Sequence, residues 1–380
     1  MSMKIVSAFL LSSLSAISII STFTPALSAS EPSPICMHYM WGQFDEIKKL
    51  IEAGSNPNEA CKFGDEVFYP VLTIIGQGDI NLAKSLIAKG ANIKLKDSNG
   101  NTVLHYIGES VEVAKLLIDA GLNVNVQNNN KITPLHNLYG KLNRGVAQYL
   151  ISRGANVNAI TNEQLTPLHL TADHGKVEIG ELLIAKGAAI NARSNQNFTP
   201  LHYAISRPDF AKLLINRGAN LNIINDRGMA VIHYSMEKET MQLLLAKGVN
   251  VNFKSRDGKT PLHYHVTNPE LMKILLARGA NVKAKDNLGR TPLHYAMKES
   301  GRLLLARGAD INARDNAGQT PLHTAIIAED RYTLDLIEFL LVRKAQVNIR
   351  DKQGKTPLQL AITKGDNNII QLVKRYGGRV

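Results

Sequence analysis

The stretch RTPLHYAMKESGRLLLARGAD, residues 290–310, decides the fold of this chain because its parts recur along the sequence. The tetrapeptide TPLH occurs six times, and looser copies fill the gaps between them. The eleven copies, numbered as repeats 1 to 11, begin at Ser33, Tyr69, Thr102, Thr133, Thr166, Thr199, Ala230, Thr260, Thr291, Thr320 and Thr356. Self-similarity at a period near 33 residues indicates a stacked array in which each repeat packs only on its neighbours.

Each repeat predicts two short helices and then a segment of fixed length. In LTPLHLTADHGKVEIGELLIAKGA, residues 165–188, Thr166 can cap a first helix, Gly175 can end it, and Gly187 can end a second, mostly apolar helix. From that last glycine position to the next repeat is 12 residues in nine of ten cases, which predicts an extended excursion with an Asp-x-x-Gly turn. The preceding part varies from 17 to 24 residues, so we expect deletions in the turn between the helices.

These features resemble the ankyrin repeat, which combines a TPLH start, an apolar second helix, a G-A-(N/D)-(V/I)-N exit and a D-x-x-G hairpin tip. The resemblance covers residues 31–380 and implies an all-α fold with short β-hairpin loops, an ankyrin-repeat α-solenoid of about eleven helix-turn-helix repeats. An N-terminal capping repeat is expected at residues 30–65, the repeat array at 66–355 and a C-terminal capping repeat at 356–380.

The first 29 residues differ from the rest and predict a cleaved export signal. Lys4 precedes an apolar segment from Ile5 to Ile20, and small residues suited to a signal peptidase follow at Ala26, Ser28 and Ala29. An uncleaved membrane anchor is the alternative, although the segment is shorter than the about 20 residues of a spanning helix. We therefore expect an exported protein, periplasmic or secreted, with no transmembrane span in the mature chain.

Two cysteines, Cys36 and Cys61, lie in the first repeat and in the loop after it. In an oxidising compartment such a pair can form a disulfide, and closing a loop of about 25 residues would stabilise the terminal repeat by roughly 3 kcal/mol. Two unbridged thiols remain the alternative, because the sequence does not give the distance between the Cα atoms.

Eight repeats carry a histidine three residues after the start: His105, His136, His169, His202, His233, His263, His294 and His323. The family resemblance implies that these side chains bond backbone groups near the hairpin and link adjacent repeats. Stacked helices lie about 8 to 10 Å apart, whereas zinc needs its ligating nitrogens near 2 Å, so we predict a structural role and no metal site. The sequence contains no P-loop, HExxH or GxSxG motif, and we expect no enzyme, no cofactor and no small-molecule substrate.

The formal net charge of +12 has two sources in the repeats. A Lys or Arg stands before the terminating glycine position in eight repeats, where it complements the negative end of the second helix. Later hairpin tips also carry cations, which predicts an electropositive edge that is either a solvated rim or a surface steering an acidic partner. Tyrosines that follow the motif histidine either pack between repeats or serve as interface anchors.

Together these patterns predict a monomeric scaffold that binds an unknown protein partner, of acidic character if the basic edge is used, on a concave surface of first helices and hairpin tips. The candidate contact residues are Arg256, Lys259, Tyr264, Arg290, Tyr295, Lys352 and Lys355. The alternative is a binder of anionic polymers or membrane surfaces through the basic hairpin edge. Nucleic acid is not expected as a partner, because the cations before the glycines account for much of the charge.

Overall fold

A computed structural model describes residues 32–136, 142–328 and 333–380 of the chain. The expected export signal lies outside these ranges. The chain divides after Asn162 into two compact units, and each unit is built of helix pairs stacked on one another. None of the described helices is long and apolar enough to cross a membrane.

The first helix of each repeat begins immediately after the threonine-like residue, often with proline at its first position. This proline is tolerated because the first N–H of a helix has no intrahelical partner. From repeat 1 to repeat 11 the bounds are Pro34–Met40, Pro70–Gln77, Val103–Tyr106, Pro134–His136, Pro167–His174, Pro200–Tyr203, Val231–His233, Pro261–Tyr264, Pro292–Tyr295, Pro321–Ile327 and Pro357–Lys364. In repeat 6 a short 3-10 turn, Ala204–Ser206, follows.

The second helices have nearly constant length, nine residues in every described repeat except repeat 10, which has ten. Their leucines supply much of the core, and Leu244, Leu275 and Leu304 are fully buried. From repeat 1 to repeat 11 the bounds are Phe44–Glu52, Ile80–Ala88, Val111–Asp119, Arg144–Ser152, Val177–Ala185, Pro208–Asn216, Lys238–Ala246, Pro269–Ala277, Lys298–Ala306, Thr333–Val342 and Asn367–Arg375.

Deletions shorten the first helix, and the expectation that they fall in the turn between the helices was therefore wrong. In repeats 3, 7 and 9 the first helix is a single 3-10 turn, whereas repeats 5 and 11 have eight residues there. The second helix keeps its length because it needs its full apolar face to pack on both neighbours. The first turn of the first helix is retained because its cap and its histidine hold it.

A cation followed by a left-handed residue ends most second helices. The C-cap residues are Lys89, Arg153, Lys186, Arg217, Lys247, Arg278 and Arg307, and the glycine after each has φ between 80 and 90°. Repeat 10 has Lys344 in the glycine position with φ 64°, a conformation that costs a non-glycine residue about 1 kcal/mol. The cations lie at the negative end of the helix, as the dipole argument predicts.

The segments between repeats are turns, and strands occur in the described residues only after repeat 1. There β1 (Cys61–Phe63) pairs antiparallel with β2 (Glu66–Phe68). Later tips bond to the neighbouring tip instead, as in Asn287 N to Asp257 O at 2.9 Å and Asn316 N to Leu288 O at 2.8 Å. The fixed length of these segments keeps that backbone register from one repeat to the next.

The first repeat is closed by a disulfide between Cys36, in its first helix, and Cys61, on β1. The two Cα atoms are 5.5 Å apart, within the usual range for a disulfide, and both side chains are buried. The bridge ties the terminal helix, which has a neighbouring repeat on one side only, to the hairpin that follows it.

Candidate partner-binding surface

The motif histidines occupy one repeated geometry at the start of the first helix. In all eight repeats Nδ1 accepts a hydrogen bond from the backbone N–H of the residue three positions earlier, at 3.0 to 3.2 Å. Where that residue is threonine, its hydroxyl also lies 2.8 to 3.1 Å from Nδ1. Because an amide can only donate, Nδ1 carries no proton and the neutral ring is protonated at Nε2.

The second ring nitrogen reaches the exit segment that leads into the following repeat. In four repeats Nε2 donates to the backbone carbonyl that immediately precedes the next repeat, at 3.0 to 3.2 Å; the donors are His105, His169, His263 and His294. His233 Nε2 donates instead to the carbonyl of Phe253, earlier in the exit segment, at 3.0 Å. Burial lowers the pKa of His263 and His294 and lowers the pKa of His202 to about 4. These rings are buried neutral links between repeats. In the described part of the chain, no group of three or more His, Cys, Asp or Glu side chains could hold a metal ion.

The tyrosines after the motif histidines form a row of rings, and their hydroxyls are engaged. From repeat 6 to repeat 9, each ring packs edge-on against the histidine of the preceding repeat at centroid distances of 5.5 to 6.2 Å: Tyr203 on His169, Tyr234 on His202, Tyr264 on His233 and Tyr295 on His263. The hydroxyl of Tyr295 donates to Asp286, and that of Tyr264 donates to Ser255 and Asp257. Tyrosine therefore joins the first helix to its own hairpin as well as to the preceding repeat.

Four basic side chains of the hairpin edge make a second row of links. Lys254 donates to the carbonyl of Lys285 at 3.2 Å, and Lys285 donates to that of Arg314 at 3.0 Å. Arg314 continues the row to the carbonyl of Arg350 at 2.8 Å, and Arg350 reaches that of Val380 at 3.4 Å. This cation row is part of the predicted basic edge, and its side chains are engaged by backbone carbonyls of the same chain.

Four of the seven candidate contact residues form one cluster. Lys259 Nζ lies 4.8 Å from the ring centroid of Tyr295 and 5.8 Å from that of Tyr264, within the range of a cation–π interaction. The guanidinium carbon of Arg290 lies 5.8 Å from the Tyr295 centroid, and its Nε donates to Asp315 at 3.1 Å. Burial, followed by the bond to Asp286, raises the pKa of Tyr295 to about 12, so its hydroxyl stays a donor at neutral pH.

The other three candidates, Arg256, Lys352 and Lys355, are exposed. None of them makes a side-chain hydrogen bond or ion pair with any residue in the described part of the chain. Arg256 and Lys352 hold equivalent positions at the tips of two hairpins three repeats apart, and Lys355 is equivalent to Lys259 and Arg290. The seven candidates thus separate into a fixed cluster and a set of solvated cations.

A linking position that was not predicted is the second asparagine of the G-A-N-x-N exit. Asn252 donates to the carbonyl of Gly279 at 3.3 Å and accepts from the backbone N–H of Asn281 at 2.8 Å. Asn58, Asn125 and Asn348 make the same pair of bonds to the next glycine and its second successor. The recurrence of this asparagine in the exit motif is the sequence signal from which the link could have been predicted.

Two curated proteins illustrate what this chain is similar to. A putative ankyrin repeat protein of Acanthamoeba polyphaga mimivirus is 40% identical over 63 residues, which are 17% of this chain and 8% of that protein. The Apicidin F cluster transcription factor apf2 of Gibberella fujikuroi is 43% identical over 53 residues, 14% of each chain. The matched parts are thus a small share of the length of these relatives.

The family profile described as ankyrin repeats, three copies, matches residues 35–128, 71–161, 138–225, 228–315 and 299–379. These matches overlap and cover the chain from the first repeat to the last. They agree with the helix pairs, the linking histidines and the left-handed exits described above. The chain belongs to the ankyrin repeat family.

Proposed function

We propose that this chain is an exported, monomeric and non-catalytic scaffold that binds a protein partner through its first helices and hairpin tips. Ankyrin repeats are in general protein-interaction scaffolds, and that general role is the starting point. The observation that carries the proposal is the set of exposed cations at Arg256, Lys352 and Lys355, which have no side-chain partner in the described residues while the cation row next to them is engaged. A surface charge without an internal partner is available to an acidic protein.

The fixed cluster would contribute to such an interface in a different way. Lys259, Tyr264, Arg290 and Tyr295 are held by contacts with one another and with hairpin carboxylates, so they lose little side-chain entropy when a partner binds. Tyrosine and arginine are also the residue types most enriched at binding hot spots. We therefore expect the cluster to supply the central contacts and the solvated cations to supply steering and a polar rim.

The test is capture of partners on the immobilised mature chain, residues 30–380, at low and at physiological salt, followed by mass spectrometry of what remains bound. The proposal expects one protein retained stoichiometrically at both salt concentrations. Its affinity should fall at least about tenfold in the triple variant Arg256→Glu, Lys352→Glu, Lys355→Glu. As a matched control, Lys84→Glu, Lys115→Glu, Lys212→Glu changes the net charge equally on second helices and should bind as the wild type does. Unchanged affinity in the hairpin variant would exclude this surface.

The same capture separates the proposal from its alternative, a binder of anionic polymers or membrane surfaces. Binding to a polyanion releases counterions and weakens steeply as salt rises, whereas a shape-complementary protein interface keeps most of its affinity. Retention of anionic material alone, with elution as salt is raised, would favour the alternative.

The exported location rests on the leader sequence and is supported by the disulfide between Cys36 and Cys61, which persists in oxidising compartments. N-terminal sequencing of the protein from its native cell, combined with cell fractionation, tests this part separately. A mature N-terminus near Ser30 outside the cytoplasm is the expected result. A protein that retains Lys4 and stays in the cytoplasm would contradict it.

A further inference from the structure

The row of tyrosine rings ends at repeat 9, and a groove lies beside its last member. Repeat 10 has Thr324 at the position that tyrosine occupies in repeats 6 to 9. The Thr324 hydroxyl donates to the backbone carbonyls of His294 and Pro321. No aromatic ring of the described residues packs against His294 in the way that Tyr295 packs against His263.

The groove has a volume of about 380 Å³, which is within the range of small binding sites. Its lining includes His294, Tyr295, Thr324, Ala325, Ile327 and Leu336. Ile327 lines the wall of the groove, and 45% of the surface of this residue is exposed. The groove arises because the first helix of repeat 9 has four residues and that of repeat 10 has seven, so the longer helix extends past the shorter one.

Arg290 and Gln319 also line the groove and give it a polar side. Asp315 holds the hairpin position whose equivalent, Asp286, accepts the Tyr295 hydroxyl in repeat 9. The Asp315 carboxylate, in the hairpin before repeat 10, accepts from two backbone N–H groups of its own turn, as Asp286 does, but its other oxygen accepts from Arg290 Nε in place of a tyrosine hydroxyl. The groove therefore offers room for a ring, while the carboxylate that would take a phenolic hydroxyl is already engaged.

We propose that this groove binds an aromatic side chain of a protein partner, which takes the place of the missing tyrosine against His294. The partner segment would carry acidic residues beside the ring, because Lys259, Arg290 and Lys355 stand at equivalent positions of the hairpins along this surface. Phenylalanine serves as well as tyrosine, since Asp315 is paired. The proposal rests on the proposed function and assigns its central contact.

The test uses two fluorescein-labelled nine-residue peptides of Glu, Ser and Gly that differ only in a central Phe or Ala, titrated into the mature chain and followed by fluorescence anisotropy. The wild type should bind the Phe peptide at least tenfold more tightly than the Ala peptide. Thr324→Phe, which fills the groove from within the chain, should abolish that preference. Leu360→Phe is the matched control, because it adds a ring at the equivalent position of repeat 11 and should leave the preference unchanged.

Ile327→Ser provides a second variant that keeps the fold, because the side chain is already half-exposed, and it should reduce the preference several-fold. Equal affinity of the wild type for both peptides, or a preference that survives Thr324→Phe, would overturn the proposal. If both peptides bind equally and the hairpin charge reversals remove that binding, the scaffold function stands and the aromatic groove does not.

Discussion

The eight motif histidines, here called the histidine row, and the cation row make the same kind of bond in two different environments. His263 Nε2 donates to the carbonyl of Arg290 at 3.1 Å, and Lys285 Nζ donates to the carbonyl of Arg314 at 3.0 Å. Each bond spans one repeat and ends on a hairpin backbone. His263 is 4% exposed, whereas the side chain of Lys285 is exposed to solvent.

This difference shows that burial, and not bond length, decides how much such a link stabilises the array. A buried acceptor that loses its donor bears the full desolvation penalty, about 1 to 3 kcal/mol. An exposed carbonyl takes a water molecule in place of the lysine, and the ordered lysine also loses side-chain entropy. The histidine row should therefore carry stability, and the cation row should contribute little besides charge.

The largest expected effect is loss of stability in acid. Burial lowers the pKa of His202 from 6.5 to about 4, and it does the same for His265, a second histidine of repeat 8 that is 1% exposed. The unfolded chain therefore binds more protons than the folded chain between these values. Stability from these groups is complete above pH 6.5 and is lost as pH falls towards 4, by about 3 kcal/mol for each. Urea denaturation followed by circular dichroism at pH 7.5, 6.5, 5.5 and 4.5 measures this. Stability that stays constant from pH 7.5 to 5.5 would contradict neutral buried histidines.

Replacement of a single member of the row should have the next largest effect. His263→Ala removes the acceptor for the Thr260 N–H and the donor to the Arg290 carbonyl, and we expect the free energy of unfolding to fall by about 2 to 3 kcal/mol. His174→Ala is the matched control, because that exposed ring bonds only the Leu170 carbonyl of its own helix and should cost less than about 0.5 kcal/mol. Equal losses of stability in the two variants would contradict the claim that the buried histidine links stabilise the array more than exposed bonds do.

Removal of an exit asparagine should cost less stability than removal of a buried histidine and more than removal of a lysine of the cation row. Asn252 is partly buried and makes two bonds to repeat 8's exit, so Asn252→Ala should lower the free energy of unfolding by about 1 kcal/mol. Asn252→Asp keeps the oxygen that accepts from Asn281 and loses the donor to Gly279. Thermal unfolding of the three proteins at pH 7.5 should rank the wild type first, the aspartate variant second and the alanine variant last.

The smallest effect is expected in the cation row. Lys285→Met keeps the length of the side chain and removes the bond to Arg314, and it should change the free energy of unfolding by less than about 0.5 kcal/mol. Lys283→Met, on an exposed neighbour of the same hairpin, removes one charge without removing such a bond and serves as the control. A loss above 1.5 kcal/mol in Lys285→Met alone would show that the exposed row is as important as the buried one.

The repeat boundaries, the left-handed glycines and the linking histidines could be predicted because each follows from a residue recurring at a fixed place. Thr166, His169 and Gly187 each mark a local conformation that their residue types favour. The shortened first helices could not be predicted, since the same missing residues can be taken from a turn or from a helix. The sequence predicted that Tyr295 packs between repeats or lies at the surface, and its contacts with both His263 and Asp286 depend on chain segments brought together only by stacking.

The candidate surface was predictable in composition and not in arrangement. The late hairpins are visibly basic, and the positions of Arg256 and Lys355 follow from the repeat register. Which cations are engaged depends on the reach of flexible side chains to carbonyls 29 to 36 residues away, as for Lys285 and Arg314. The pairing of Arg290 with Asp315 likewise joins two hairpin side chains 25 residues apart in the sequence, which only stacking of the repeats brings together.

The constant exit segment has a consequence for how this chain can change in length. Because the 12 residues from Gly248 to Lys259 and those from Gly279 to Arg290 end in the same way, Lys259 could be followed by Thr291 as readily as by Thr260. Excision of residues 260–290 would leave a joint with the same asparagine pair, the same capping threonine and the same histidine. Each repeat is thus an exchangeable unit, and recombination between equivalent exits can lengthen or shorten the array while keeping the residues that join one repeat to the next.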